Sequence, residues 1–310
     1  MKFNNFIIFT LTFLIVGCDG SYQSNDDEMV SELESNQKKF VAVGYSGTIL
    51  SSSNGDSWTL RKSETTQYLS SVAKNSDNFV TVFGVTSDIL ISKDGESWEL
   101  KSPSNMLTTS EKIIYLNNMF ITVGCGVSTS IDGINWTQRT SNNCTYRGIT
   151  YGNSTYVVTS VNSNSLMIST DGISWTSRSH GSSSYLYDVT YDNELFIAVG
   201  PSGTILTSSD GNLWTSKSSG TSEDLYGIIY GNGLFVVIGD SGTILTSING
   251  NSWVSRVSNI SNGLKGITYG NKKFVAVGDS RKIIISSDGI IWDLINSGTT
   301  NNLNGVTYAE

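Results

Sequence analysis

Short runs of β-branched and aromatic residues alternate along this chain with clusters of Gly, Asn and Asp, and the alternation repeats. In its cleanest copy, Leu225-Tyr226-Gly227-Ile228-Ile229-Tyr230 leads through Gly231-Asn232-Gly233 to Phe235-Val236-Val237-Ile238-Gly239. Asp240-Ser241-Gly242, Thr243-Ile244-Leu245-Thr246-Ser247, Asn249-Gly250 and Trp253-Val254-Ser255-Arg256 follow. Apolar runs of this length between Gly/Asn/Asp turns predict hairpins, whose strands are named A, B, C and D in chain order. None has the length or the period of a helix. The tryptophans mark the repeat: Trp58, Trp98, Trp136, Trp175, Trp214, Trp253 and Trp292 are all the Trp in the chain, 40, 38, 39, 39, 39 and 39 residues apart. Each closes the pattern S-x-[D/N]-G-x-x-W, which recurs seven times without failure. Four short strands in each such period are what a propeller blade requires.

The two ends of the repeat are out of phase. Strands A of the second to seventh copies start near Leu69, Ser110, Tyr146, Leu186, Leu225 and Leu264, but the first copy opens directly on strand B, Phe40-Val41-Ala42-Val43-Gly44. At the other end, Leu303-Asn304-Gly305-Val306-Thr307-Tyr308 is a strand A with nothing after it. An open solenoid has no use for complementary half-blades, whereas a closed ring pairs them and removes both exposed edges; a right-handed β-helix is the alternative, although its coils are usually shorter and need no Trp per turn. The expectation is an all-β, seven-bladed β-propeller of four-stranded blades over residues 38–310, closed by the C-terminal strand completing blade one. A monomer is expected.

The repeated motif falls at the turn between strands C and D. Asp or Asn accepts backbone N–H groups around a tight turn and Gly supplies a positive φ, while the Trp begins strand D and packs back over the turn. This stretch resembles the Asp-box of bacterial neuraminidase repeats with one residue fewer before the Gly, and the repeats are similar to those of photosystem II assembly-factor-like propellers. The resemblance covers Lys38 to Glu310. It implies a propeller in which the Asp residues are structural. It implies no one activity, because hydrolases, assembly factors and plain binding proteins share the motif.

Met1 to Gly17 resembles a bacterial lipoprotein signal peptide. One Lys precedes an apolar run from Phe6 to Val16, too short to cross a bilayer, and Ile15-Val16-Gly17-Cys18 places small residues before a Cys. The resemblance implies that Cys18 is lipidated and becomes the mature N-terminus, in the cell envelope outside the cytoplasm, with the leaflet open. Residues 18–37 have no β pattern and carry Asp19, Asp26, Asp27, Glu28, Glu32 and Glu34, so they read as an acidic flexible tether. Such a chain reaches roughly 25 Å. Without Lys2 the mature chain has 18 basic against 27 acidic residues, and from Lys38 onward the balance is 18 against 21. With no Lys/Arg cluster interleaved with aromatics, nucleic acid is excluded as a partner.

In a four-stranded blade the D-to-A loops and B-to-C turns share one face, here called upper, and the A-to-B and C-to-D turns share the lower one. The second position of strand A varies freely near the upper channel mouth: Ser70, Glu111, Arg147, Tyr187, Tyr226, Lys265 and Asn304. Beside it, where several copies have Gly, stand Lys112 and Asp188. Glu111, Arg147, Tyr187, Asp188, Tyr226 and Lys265 are therefore the candidate ligand-binding residues, with a protein or glycan as the expected ligand and a solvated Arg147 ion pair as the plainer alternative. Two further readings stay open: a polysaccharide hydrolase or lyase working through Glu111, Asp188 or Glu223, and an assembly factor for a membrane complex. A sialidase-type site needs three Arg around a carboxylate, and Arg61, Arg139, Arg178 and Arg256 fall on or just after strand D, leaving only Arg147 near the mouth. His180, the one His, is expected to be solvated; Asp88, Asp240 and Asp279 lie in separate B-to-C turns, a poor cage for Ca²⁺. No metal and no cofactor is expected. Cys125, in the shortened B-to-C turn of blade three, and Cys144, in the loop to blade four, are expected to form a disulfide on the upper face.

Overall fold

The structure, a computed structural model, describes residues 38–141, 144–161 and 164–309; the signal segment 1–17, Cys18 and the tether 18–37 lie outside them. Its strands form seven antiparallel four-stranded sheets, each running A-B-C-D in order. Each strand A packs against the A strands of both neighbouring blades, so the A strands line the axis and the D strands form the rim. Among the described residues no helix is long and apolar enough to cross a membrane.

Closure is as the phase offset requires. Strand A of blade one is Leu303–Ala309, paired with strand B, Lys39–Gly44, from Lys39↔Ala309 to Gly44↔Leu303. In blade five, regular pairing of strand A begins at Asp188, two residues later than expected. The Leu186 N–H bonds to the Ser160 carbonyl of blade four instead, at 3.1 Å.

The core lies between blades, because both faces of every B strand are covered. Phe40 and Ala42 pack toward blade seven with Val275, Val277 and Leu303, whereas Val41 and Val43 pack toward blade two with Leu69, Val72 and Phe79. An aromatic ladder recurs within the blades. A strand-A Tyr lies against the strand-B aromatic (Tyr308 on Phe40, 4.7 Å; Tyr230 on Phe235, 4.7 Å; Tyr269 on Phe274, 4.6 Å), and in every blade but blade six the strand-B ring meets the Trp at 6.1 to 6.5 Å. The next blade's Tyr ring fills the space over the Gly that ends strand A: a Cβ on Gly231 would lie 2.3 Å from Tyr269, and one on Gly270 2.1 Å from Tyr308. Only Gly admits this close approach.

The S-x-[D/N]-G-x-x-W turns share the bonds of the Asp or Asn and the Ser, and in five of the seven the indole N–H also reaches the Gly carbonyl, Trp98 and Trp253 being the exceptions. In blade five the Asp210 carboxylate accepts the N–H groups of Asn212 and Leu213 at 2.8 and 2.9 Å, Ser208 Oγ accepts the Gly211 N–H at 2.9 Å, and Trp214 Nε1 donates to the Gly211 carbonyl at 3.1 Å. All seven glycines of these turns have φ between 70° and 81°. The Asp residues are therefore committed to backbone donors.

Candidate functional site at the upper mouth

The second residue of strand A is singled out by a backbone feature that the repeat alone does not reveal. In blades one, two, three, four, six and seven the pairing of A with B slips by one residue at its upper end, leaving one extra residue in strand A. A β-bulge of this kind frees its residue from the ladder and re-aims the side chain. Asn304, Ser70, Glu111, Arg147, Tyr226 and Lys265 stand at these slips, and with Tyr187 of blade five all of them line one cavity of about 350 Å³. The six candidate residues named from the sequence thus face a common space, joined by Tyr45, Tyr68, Lys112 and Asp279.

Inside the cavity the charges are paired across blades. Lys112 Nζ of blade three lies 2.5 Å from Asp188 Oδ1 of blade five, whose other oxygen accepts the Ile228 N–H of blade six at 3.3 Å. This bridge passes over Gly148, where a Cβ would meet the Asp188 Cα at 2.6 Å, so blade four must be Gly for blades three and five to join. Asp188 is 4% exposed. Arg147 pairs with Glu111 at 3.4 Å and keeps about half of its side chain in solvent.

On the side of blades five to seven, the Tyr187 and Tyr226 rings stack at 5.4 Å between centroids with 25° between planes. Lys265 Nζ sits 3.5 Å from the Tyr226 ring centroid, a cation–π contact. Asp240 and Asp279, expected to stand apart, converge on the same ammonium at 3.4 and 3.7 Å. The Tyr226 hydroxyl donates to Asp240 at 2.8 Å, and the Tyr187 hydroxyl to Asp224 at 3.4 Å. Burial, followed by the hydrogen bond to Asp240, raises the Tyr226 pKa; burial and the Asp224 charge raise that of Tyr187. Across the mouth Tyr68, edge-on to Tyr45 at 4.8 Å, is pushed up to about 12 by burial and the Glu111 charge. These phenols stay neutral at physiological pH and present aromatic faces and O–H donors between charges of both signs. Such a surface can stack on a sugar ring or an apolar side chain while Arg147 takes a carboxylate.

Tyr45, Tyr68 and Asp224 escaped the sequence reading because they lie just outside the aligned strand positions; an aromatic directly before strand A or after strand B was the available signal. His180 is a correction: it is 3% exposed rather than solvated. The loop after strand D of blade four folds over it, with the His180 N–H on the Asn164 carbonyl at 3.0 Å and the Ser182 N–H on its Nδ1 at 3.4 Å. Arg61, Arg139, Arg178 and Arg256 lie on D strands at the rim. Three of them brace the sheet through Nε bonds to Ser51, Thr129 and Thr246 at 2.7 to 2.8 Å. Cys125 and Cys144 are bonded, S–S 1.99 Å, at the upper face of blade three. Among the described residues no three His, Cys, Asp or Glu side chains gather where they could hold a metal ion.

Compared by sequence, the chain matches no family model and no curated protein. Compared by structure, it is similar to YCF48 bound to a D1 peptide, at a TM-score of 0.66 and 16% identity over 84% of this chain and 89% of that one. It is similar to a streptogramin B lyase (TM-score 0.69, 13% identity, 78% of this chain and 90% of that one). A third similar structure is the periplasmic gluconolactonase of Pseudomonas aeruginosa (TM-score 0.67, 5% identity, 88% and 99%). At such identities the likeness is one of fold, and the chain is a seven-bladed β-propeller.

Proposed function

We propose that this chain is a lipid-anchored, extracytoplasmic binding propeller whose upper mouth recognises a protein segment or a glycan. The observation that carries the reading is the convergence of the one freely varying strand position on one cavity. Folding accounts for the turn motif and the B strands in every blade, but not for a Tyr pair, an exposed Arg and paired charges at or beside the positions where the ladder slips. A mouth with aromatic platforms and polar neighbours suits peptide or sugar recognition. The similar structure that holds a peptide supports the same use of the fold.

The test is a pull-down and a glycan array with residues 38–310. Against the partner recovered, Tyr187→Ala, Tyr226→Ala and Arg147→Ala are each expected to weaken binding by about 10-fold or more, as central aromatic and Arg anchors do. Asn212→Ala, on the lower face, is expected to leave it unchanged. Loss of binding in Asn212→Ala but not in the three mouth variants would put the site on the other face. Turnover of a bound polysaccharide would make the protein a hydrolase or lyase. Anchoring is tested separately: mass spectrometry of the mature N-terminus is expected to find lipid on Cys18, and an unmodified Cys18 would end that part of the proposal.

A further inference from the structure

The lower face carries a second pattern that neither the fold nor the mouth uses. In the C-to-D turns, the positions between the conserved Ser, Asp/Asn, Gly and Trp point to solvent. In blades three to seven one of them is a highly exposed aliphatic: Ile131 (78%), Ile173 (51%), Leu213 (80%), Ile248 (70%) and Ile291 (68%). In blades one and two the same positions hold Ser53, Asp56, Ser57, Lys93, Glu96 and Ser97. A lone exposed Ile or Leu is ordinary. Five in the same turn of five consecutive blades, though at three different positions of that turn, form an apolar arc, and arcs of this kind mark surfaces that are covered.

Where the chain enters the ring says what covers it. Strand B of blade one starts at Lys39, whose Nζ lies 2.8 Å from Glu96 in the C-to-D turn of blade two. The chain therefore enters at the lower face, among these same turns, only twenty residues after Cys18. We infer that the lower face rests on the bilayer surface, the aliphatic arc of blades three to seven dipping into the headgroup region while the upper mouth faces away from the membrane toward its partner. This rests on Cys18 being the anchor, as proposed above, for the reason the protein is at a bilayer at all.

The turns also limit how deep the arc goes. Asp132, Asp171, Asp210 and Asp288 stand beside the aliphatic residues and accept two backbone N–H groups each, so they stay ionised at neutral pH. Carboxylates are costly in hydrocarbon, which confines the contact to the interface, as for an amphipathic surface helix. The same charges are repelled by anionic lipid.

The experiment attaches the protein independently of its own lipid. Mature chain, residues 18–310 with Cys18→Ser and an N-terminal hexahistidine tag, is bound to phosphatidylcholine vesicles containing nickel-chelating lipid. An environment-sensitive fluorophore is placed at Leu213→Cys on the lower face or Ser202→Cys on the upper. The inference expects the Leu213 label to shift to the blue and be quenched by spin-labelled lipid, and the Ser202 label to emit as in water and be quenched by iodide. Adding Ile131→Ser, Ile173→Ser, Ile248→Ser and Ile291→Ser to the Leu213→Cys chain should abolish the lipid quenching with the melting temperature unchanged. Replacing part of the phosphatidylcholine by phosphatidylglycerol should weaken it. Aqueous emission at both positions on the vesicles would overturn the inference. So would a blue shift at Leu213 that appears without lipid and grows with protein concentration, which would mean a second copy covers the face. Quenching that strengthens with anionic lipid would overturn the apolar basis of the contact. Lipidation of Cys18 is read by mass spectrometry alone, so its failure is distinguishable from failure of the docking.

Discussion

Leu303 is the residue on which ring closure is best tested. It is fully buried in the core between blades seven and one, beside Val277 and Ile283, and belongs to the strand that completes blade one from the far end of the chain. Replacing a buried Leu by Ala costs about 2–5 kcal/mol, depending on how far the cavity collapses. The site is framed by two backbones, with Gly44 so close to Asn302 and Leu303 that a Cβ would fall 2.0 Å from the Asn302 carbonyl oxygen; collapse is therefore restricted and the upper half of that range applies. Against a total stability of about 5–15 kcal/mol, this is a large fraction. At roughly 2–4 °C per kcal/mol for a large domain, Leu303→Ala should lower the melting temperature by about 7–20 °C. Removing residues 303–310 should do more, since it also withdraws Tyr308 from Phe40 and leaves strand B of blade one as a bare edge. The assay is thermal and urea unfolding followed by circular dichroism, with Leu213→Ala, at 80% exposure, as the surface control. If Leu303→Ala and the truncation both melt with the parent, to within the roughly 0.5 kcal/mol expected of a surface change, the last strand does not close the ring.

Three further outcomes follow from the site and the turns. Asp132 and Asp171 hold pKa values of about 2 rather than 3.8. In Asp132 burial, which would raise it, is outweighed by the N–H groups of Asn135 and Ile134; in Asp171 the donors are Ser174 and Ile173. Because the folded values are depressed, the stabilisation is present above pH about 4 and is lost as pH falls toward about 2. Melting against pH should show that acid limb, and Asp132→Asn with Asp171→Asn should flatten it toward the behaviour of the turns at Asn54 and Asn249; an unchanged limb refutes the assignment. Lys112→Met leaves the Asp188 carboxylate buried without its cation and should cost about 3 kcal/mol, while Lys112→Met with Asp188→Ala should recover most of the loss in urea unfolding; additive losses would mean that the bridge is not coupled. The Cys125–Cys144 bond spans a separation of 19 residues and should contribute about 3 kcal/mol by restricting the unfolded chain. Thiol titration of the unfolded, unreduced protein should find none beyond Cys18, and two reactive thiols would refute the bond.

How much of this was legible in the sequence depends on whether a feature repeats. Strand order, blade number and closure were legible because each is stated several times over: seven Trp turns, and two half-blades that fit only each other. The placing of Arg61, Arg139, Arg178 and Arg256 at the rim followed from the same register. Features that occur once were not legible. The His180 ring is covered by a loop whose path depends on bonds to Asn164 and Ser182, and no repeat position predicts that. Asp240 and Asp279 sit in the turns of two blades, and their meeting over Lys265 depends on how far the blades lean together at the axis. The bridge from Lys112 to Asp188 skips a blade, which requires both a long side chain and the bare backbone of Gly148 between. The identity of the mouth residues could be read from the alignment of the copies, but their partners could not.

The bulge explains why variation collects where it does. A residue inside the ladder is bound by its pairing and by the packing of both sheet faces, as Phe40, Val41, Ala42 and Val43 show: each is fully buried, on alternating sides. The extra residue of strand A has neither constraint. Its backbone is excused from the register and its side chain points into the mouth, so Ser, Glu, Arg, Tyr, Lys and Asn are all compatible with the same blade. The exposed positions of the C-to-D turn are free for a different reason: the Asp carboxylate or Asn side-chain oxygen and the Ser hydroxyl already accept the turn's N–H groups, so the turn itself does not need the residues between them, although in blades one and two Asp56 and Glu96 pair with Lys273 and Lys39. The propeller therefore has two sets of unconstrained positions at opposite ends of its strands, separated by a framework that is the same in every blade. Aromatic and charged residues predominate in the first set, and in blades three to seven the second includes an exposed aliphatic residue in every turn, which is the division expected of a molecule that meets a polar partner on one face and an apolar surface on the other.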